Sequence, residues 1–301
     1  FVVMAMAATT TERISLTTAV AIAFPRSPTV TAMTAWTLQR ASRGRFRLGL
    51  GTQVKGHIER RYGLPWSAPG PWLEDYVGAV RAVWDCWQHG TPLDYRSDHY
   101  ELTLMNPLFD PGPIEHPFPP IHLASVNAHM ARIAGRHADG VRPHPICTRR
   151  YIGEVLRPAV AAGAEEAGRD PRAIETVASP LIVTAPTEAE LAARVSAVRS
   201  RISFYASTRT YRAVFELHGW DDVCEQLSVL SRQQRWDEME RHVTDEMVHE
   251  IAVVAPYDSL AAAVVERYGG LCDRVEMSIP VDSPDDEVRL AELVAEVRAA
   301  G

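Results

Sequence analysis

The chain has 301 residues, 46% of them hydrophobic and 23% charged, with a formal net charge of −7. That composition supplies a sizeable α/β core, and the acidic balance argues against a nucleic-acid surface, whose usual footprint is a basic excess. Four dispersed cysteines with no CxxC or Cys/His spacing argue against a zinc centre or a disulfide framework and for the reducing cytoplasm, and no apolar run reaches the ~18 residues of a membrane span.

The first residues, FVVMAMAATTTE, contain an Ala5-Met6-Ala7 tripeptide like a signal-peptide cleavage site but no basic segment before it. They read as the tail of an amphipathic helix, entered mid-pattern. Residues 13–21, rich in Ile, Val and Thr, read as a strand. Within LTTAVAIAFPRSP the side chains shrink (Thr18, Ala19, Ala21, Ala23) where the strand leaves the core, as expected if something flat and large lies against its end. Ser27-Pro28 supplies an N-cap and a proline at the first helical position, and Gly44 closes the helix that follows. FRLGLG, 46–51, is a second strand, with glycines that permit close backbone approach. Residues 52–70 read as a long polar loop. A helix from about Pro71 to Gln88 carries Trp72, Tyr76, Val80, Val83, Trp84 and Trp87 at core spacing. LDYRSDHYEL reads as a small surface hairpin.

The βα pattern resumes with strands at 120–125 and 139–143, each followed by a helix start, at Asn127 and Thr148. A further strand is expected at 174–183. The capping box Thr187-Glu188-Ala189-Glu190 opens a helical insertion over about 187–250. IAVVA, a helix capped by Asp258, a strand at 274–279 and a helix from about Pro284 complete the chain. Six strands alternating with helices argue for a parallel sheet, open or closed. No GxGxxG follows the first strand, which disfavours a dinucleotide fold.

Ligands bind at the carboxyl ends of the strands in either architecture. Those ends offer Ala19, Val20 and Arg26; Gly51 and Thr52, then His57, Arg60 and Arg61; Ser125, Val126, Asn127 and His129; and Arg142, His144, Arg149 and Arg150. Small residues, donors and positive charge on successive strand ends suit a phosphorylated planar cofactor, with two helix N-termini facing its phosphate. No G-x-S-x-G elbow or HExxH motif is present, and no metal site is expected. Glu240, His242, Asp245, Glu246 and His249 read as a charged solvent face. The strand ends carry no obvious catalytic triad, which suits cofactor chemistry that needs positioning more than a protein nucleophile.

RISLTTAVAIAFPRSP, GRFRLGLGT, PWLEDYVGAVRAVW and PIHLASVNAHMARIAGRHADGV, in this order, resemble the bacterial luciferase-like superfamily. GWDDVCEQLSVLSRQQRWDEMERHVTDEM and RYGGLCDRVEMSI are similar to its deazaflavin-dependent branch. The resemblance implies one TIM (β/α)8-type barrel domain over 1–301, lacking its first two strands. It implies coenzyme F420, with FMN as the alternative, at the carboxyl end of the barrel. It further implies a non-prolyl cis bond at Ala19–Val20 against the ring. The ribityl chain and phosphate would then meet Ser125, Val126, Asn127, His129 and Met130, with Gly140, Arg142 and His144. The expected activity is hydride transfer between F420 and a small organic substrate. The alternatives are an FMN-dependent monooxygenase fed by a separate reductase and a truncated, non-catalytic barrel. The expected partners are the substrate, a flavin or F420 reductase and a second copy of the chain, with no nucleic acid and no membrane. The sugar-phosphate-oxidising members carry an acid where this chain has Val54, so that activity is not expected.

Overall fold

Helices and parallel strands alternate along the chain, as the sequence periodicity predicts. The computed structural model describes residues 1–300. The chain divides into two units: Phe1–Ser125 with His129–Val141 and Ala159–Ile174, and Val126–Ala128 with Arg142–Pro158 and everything from Glu175 onward.

The first unit opens with helix α1 (Val2–Thr10), strands β1 (Leu16–Thr17) and β2 (Ala21–Ile22) and helix α2 (Pro28–Ala41). Next come β3 (Phe46–Gly51), α3 (Lys55–Arg60), α4 (Pro69–His89), the hairpin β4 (Tyr95–Arg96) and β5 (Glu101–Leu102), β6 (Ile121–Ser125) and α5 (Ala128–His137). Strand β3 is the hub, pairing in parallel with β1, β2 and β6. Helix α2 starts as read: Ser27 Oγ accepts from the Thr29 N–H at 3.2 Å, with Pro28 at the first helical position. Gly44, at φ +82°, donates its N–H to Gln39 O and closes it.

The aromatic stripe of α4 is core apart from Trp72, which is half-buried near the helix start. Tyr76, Val80, Val83, Trp84 and Trp87 are all buried, and the Trp84 indole N–H donates to Ala32 O of α2 at 3.1 Å. Burying each such side chain contributes roughly 2–3 kcal/mol. The span 52–70 is not all loop, because Lys55–Arg60 forms α3 with Ile58 buried and no side-chain cap to announce it. A Cβ on Gly135 would fall 2.1 Å from Val160 O, and one on Gly163 would fall 2.0 Å from Arg132 O. These two helices therefore touch backbone to backbone, where only glycine fits.

The division between units falls within β7 (Gly140–Pro143). Thr148 Oγ1 accepts from the Tyr151 N–H at 3.1 Å and starts α6 (Arg149–Tyr151), which a π turn at Ile152–Leu156 and α7 (Arg157–Glu166) follow. The strand expected at 174–183 breaks at Ser179-Pro180 into β8 (Glu175–Ala178) and β9 (Ile182–Val183), since proline has no N–H for the ladder. Between β9 and β10 (Val253–Val254) lie α8 (Glu188–Ala206), α9 (Arg212–Glu216), α10 (Asp221–Arg232), α11 (Trp236–Met239) and α12 (Asp245–Ile251), which form the helical insertion. Helix α13 (Tyr257–Tyr268), β11 (Arg274–Val275) and α14 (Pro284–Ala300) follow. Asp258 lies in the first turn of α13 rather than at its cap, still at the favourable end of the helix dipole. Strand β9 pairs with β10 and β8 with β11, both in parallel. No described helix is long and apolar enough to cross a membrane.

One local device recurs in each unit. In HADGV, the Asp139 carboxylate accepts from the Ile121 N–H and from Arg81, each at 2.8 Å, while its own N–H donates to Ile121 O at 2.7 Å. In LCDRV, the Asp273 carboxylate accepts from the Thr176 N–H at 2.7 Å, and its N–H donates to Thr176 O at 2.9 Å. An aspartate just ahead of a strand thus fastens the start of the neighbouring strand.

Candidate functional site

Strands β1 and β2 are one strand interrupted. Thr17 faces Arg47 and Ala21 faces Leu50, so four steps here match three on β3. The extra residue makes a bulge. Thr18 mends the ladder across it: its hydroxyl donates to Gly49 O at 2.7 Å and accepts from the Gly49 N–H at 2.9 Å. The Ala19–Val20 peptide bond is cis, as the family resemblance implies.

Gly51, the last residue of β3, closes on this segment. A Cβ there would sit 2.6 Å from Val20 Cγ2 and 3.6 Å from Ala124 Cβ, so a side chain at this position would displace Val20. Residues 17–22, with Phe1, Val3, Met4, Arg26 and Tyr62, line an alcove of about 350 Å³. Arg26 donates to Ile22 O at 2.9 Å and lies over the Phe1 ring at 5.5 Å. His57, Arg60 and Arg61 are exposed and do not line it.

Thr52 is half-buried beyond β3. Ser125 ends β6 with 2% of its surface exposed, and its Oγ has no hydrogen-bond partner among the described residues. Such an orphan costs about 1–3 kcal/mol unless a ligand or water meets it. His129 is exposed and packs on α4, where a Cβ on Gly70 would lie 2.4 Å from its Nε2. Met130 and Gly140 are buried. The first unit therefore joins Ala19, Val20 and Gly51 in one wall and leaves a buried hydroxyl at the end of β6.

In the second unit Val126 and Asn127 are half-buried. Arg142, 4% exposed, donates to the Glu276 carboxylate and approaches Ser179 Oγ at 3.5 Å, while Ser179 Oγ donates to Glu276 at 2.5 Å. The guanidinium charge is already balanced inside the unit. His144 stacks edge-on to Tyr205 at 4.8 Å and lies 4.5 Å from Tyr211, its Nδ1 accepting from the Ile146 N–H at 3.2 Å. Burial, reinforced by the Arg201 charge, pulls its pKa down to about 4, so the ring is neutral at pH 7. Arg149 donates to the carbonyls of Glu266 and Arg267, and Arg150 to Glu154 and Leu217 O. Sequence reasoning named Arg142 and His144 but missed Glu276, Ser179, Tyr205 and Tyr211. Among the described residues, no three metal-ligating side chains come together.

The residues of the first unit fit the flat ring of a flavin-type cofactor. Thr18, Ala19, Val20 and Ala21 form one modest-sized wall of the alcove, the absence of a side chain on Gly51 lets Val20 seat against β3, and the Ser125 hydroxyl is buried without a partner. Arg142 and His144 offer its phosphate no unbalanced positive charge.

The family model of luciferase-like monooxygenases matches residues 1–274. An uncharacterized protein of Mycobacterium tuberculosis is 41% identical over 275 residues, 91% of this chain and 81% of that protein. The phthiodiolone/phenolphthiodiolone dimycocerosates ketoreductase of the same species is 34% identical over 173 residues, 58% of this chain and 44% of that enzyme. Among solved structures, the coenzyme F420 dependent tetrahydromethanopterin reductase from Methanopyrus kandleri superposes with a TM-score of 0.75 at 21% identity, over 97% of this chain and 84% of that one. The EDTA monooxygenase from Chelativorans sp. BNC1 gives 0.73 at 14% identity, over 100% and 77%. At these identities the likeness shows the fold, and the α/β class of TIM-barrel type read from the sequence is borne out.

Proposed function

The chain belongs to the luciferase-like monooxygenase family, and from that premise we propose that it is an F420-dependent oxidoreductase moving a hydride between the cofactor and a carbonyl or alcohol carbon of an organic substrate. The observation that carries the proposal is the alcove on residues 17–22, where Ala19, Val20 and Ala21 form an apolar wall that seats closely on Gly51. The 34% identity to a ketoreductase supports carbonyl chemistry over oxygen insertion.

A bound deazaflavin supplies the hydride chemistry, so the protein has to bind, orient and exclude water. Ala19 and Val20 provide a flat apolar backing, and Gly51 lets that backing approach the sheet. Ser125 Oγ, buried without a partner, would hold the cofactor through one donated hydrogen bond. Arg26, at the rim of the alcove, is the cation placed for an acidic group. Four free cysteines accord with work in the cytoplasm.

Spectral titration of the purified protein with F420 and, separately, with FMN tests the assignment. Saturable binding of F420, weakened by Ser125→Ala, is the expected result. Saturable FMN binding without F420 binding would replace the proposal with a monooxygenase. Binding of neither, with cooperative unfolding retained, would make the chain a non-catalytic barrel.

A further inference from the structure

A second group of side chains in the first unit has the order of a nucleophile, a base and an orienting carboxylate. Ser67 Oγ lies 3.0 Å from His99 Nε2, and His99 Nδ1 lies 2.6 Å from Asp75 Oδ2. An ionised carboxylate only accepts, so Nδ1 carries the proton, Nε2 is the acceptor, and the Ser67 hydroxyl donates to it. That tautomer is the one a general base requires.

The three residues come from separate elements, each fixed independently. Ser67 stands just before the N-cap of α4, Asp75 lies within α4, and His99 sits in the hairpin turn, where Ser97 Oγ accepts from the N–H of Tyr100 at 3.2 Å. Trp72 stacks near-parallel to the His99 ring at 5.8 Å and on Phe24 at 3.7 Å, which fixes the plane of the base. The Trp72 indole N–H donates to Tyr100 Oη at 2.8 Å. The His99 and Asp75 side chains are 18% and 23% exposed, so the group is ordered yet open to solvent. None of the three triad residues lines the alcove on residues 17–22.

We propose that Ser67, His99 and Asp75 form an acyl-transfer site that hydrolyses small carboxylic esters. His99 Nε2 takes the Ser67 proton as Oγ bonds to the ester carbonyl carbon. The acyl–oxygen bond then breaks, and the alcohol leaves with that proton. Water, deprotonated by His99, next attacks the acyl-Ser67 carbon. The carboxylic acid leaves and the proton returns to Ser67. Ester and water become acid and alcohol, with no oxidant or reductant. Asp75 holds the imidazole tautomer throughout.

The test treats the protein with a fluorophosphonate, maps the adduct by peptide mass spectrometry and measures p-nitrophenyl acetate hydrolysis. The expected result is one adduct, on Ser67, and hydrolysis that falls about 100-fold or more in Ser67→Ala and in His99→Gln. An unlabelled Ser67 in the unmutated protein overturns the proposal and makes the triad a strap tying the hairpin to α4. Hydrolysis that persists in a folded Ser67→Ala, judged by near-UV circular dichroism, overturns it equally. Labelling needs no variant, so it decides the matter even if His99→Gln fails to fold.

Discussion

Replacing Gly51 by alanine puts a methyl carbon 2.6 Å from Val20 Cγ2, about 1 Å inside the usual carbon–carbon contact distance. Val20 is β-branched and has few rotamers in which to retreat, while Ala124 Cβ, 3.6 Å from the new atom, is in ordinary contact. Overpacking of this kind costs about 1–3 kcal/mol, which in a protein of this size lowers the melting temperature by roughly 2–5 °C. The displaced atoms belong to the alcove wall, so F420 affinity should fall by about tenfold or more, the equivalent of ~1.4 kcal/mol. Differential scanning fluorimetry and spectral titration read the two effects separately. Adding Val20→Ala should restore most of the lost stability but not the affinity, because it removes the clash together with part of the wall. A Gly51→Ala protein that melts within a degree of the parent and binds F420 as well would refute the reasoning.

Three further outcomes follow from the same geometry. Gly135→Ala should cost about 3 kcal/mol or more, read from a urea midpoint, because its new methyl meets the Val160 carbonyl rather than a movable side chain. Glu276→Ala leaves the Arg142 charge, 4% exposed, without its carboxylate and should lose about 3 kcal/mol, whereas the double change with Arg142→Met should lose less. His144 has a folded-state pKa of about 4, below its unfolded value, so the unfolded chain binds the proton first as the pH falls. Its contribution is intact above about pH 7 and shrinks by roughly 2 kcal/mol by pH 5. His144→Phe should flatten that part of the stability–pH curve.

Much of the fold was legible because its signals are local. The Ser27-Pro28 start of α2, the Thr148 and Thr187 caps, and the core stripe of α4 each depend on residues a few positions apart. Helix α3 was not legible, since a six-residue helix without a side-chain cap carries almost no periodic signal. The break between β8 and β9 was visible in Pro180 but outweighed by the apolar run around it. In the candidate site, Ala19, Val20 and Gly51 could be named because small residues at strand ends form a contiguous pattern. The neutralisation of Arg142 could not be foreseen, because Glu276 lies 134 residues away and only folding joins them. The same holds for Ser67, Asp75 and His99, which share no motif and meet only because the hairpin folds back onto α4.

The Thr18 hydroxyl separates two demands on one stretch of chain. By standing in for a backbone partner of Gly49, it keeps the sheet's hydrogen bonding whole while the next two residues are excused from pairing with β3. Ala19, exposed and outside the ladder, is thereby free to vary in size without loosening the sheet, whereas Val20 is held by its packing on Gly51 and Thr18 by its hydroxyl. Serine would preserve that service; valine, nearly identical in shape, would strand both polar groups of Gly49. Divergence in what the alcove accepts is therefore open at Ala19 and closed at Thr18 itself.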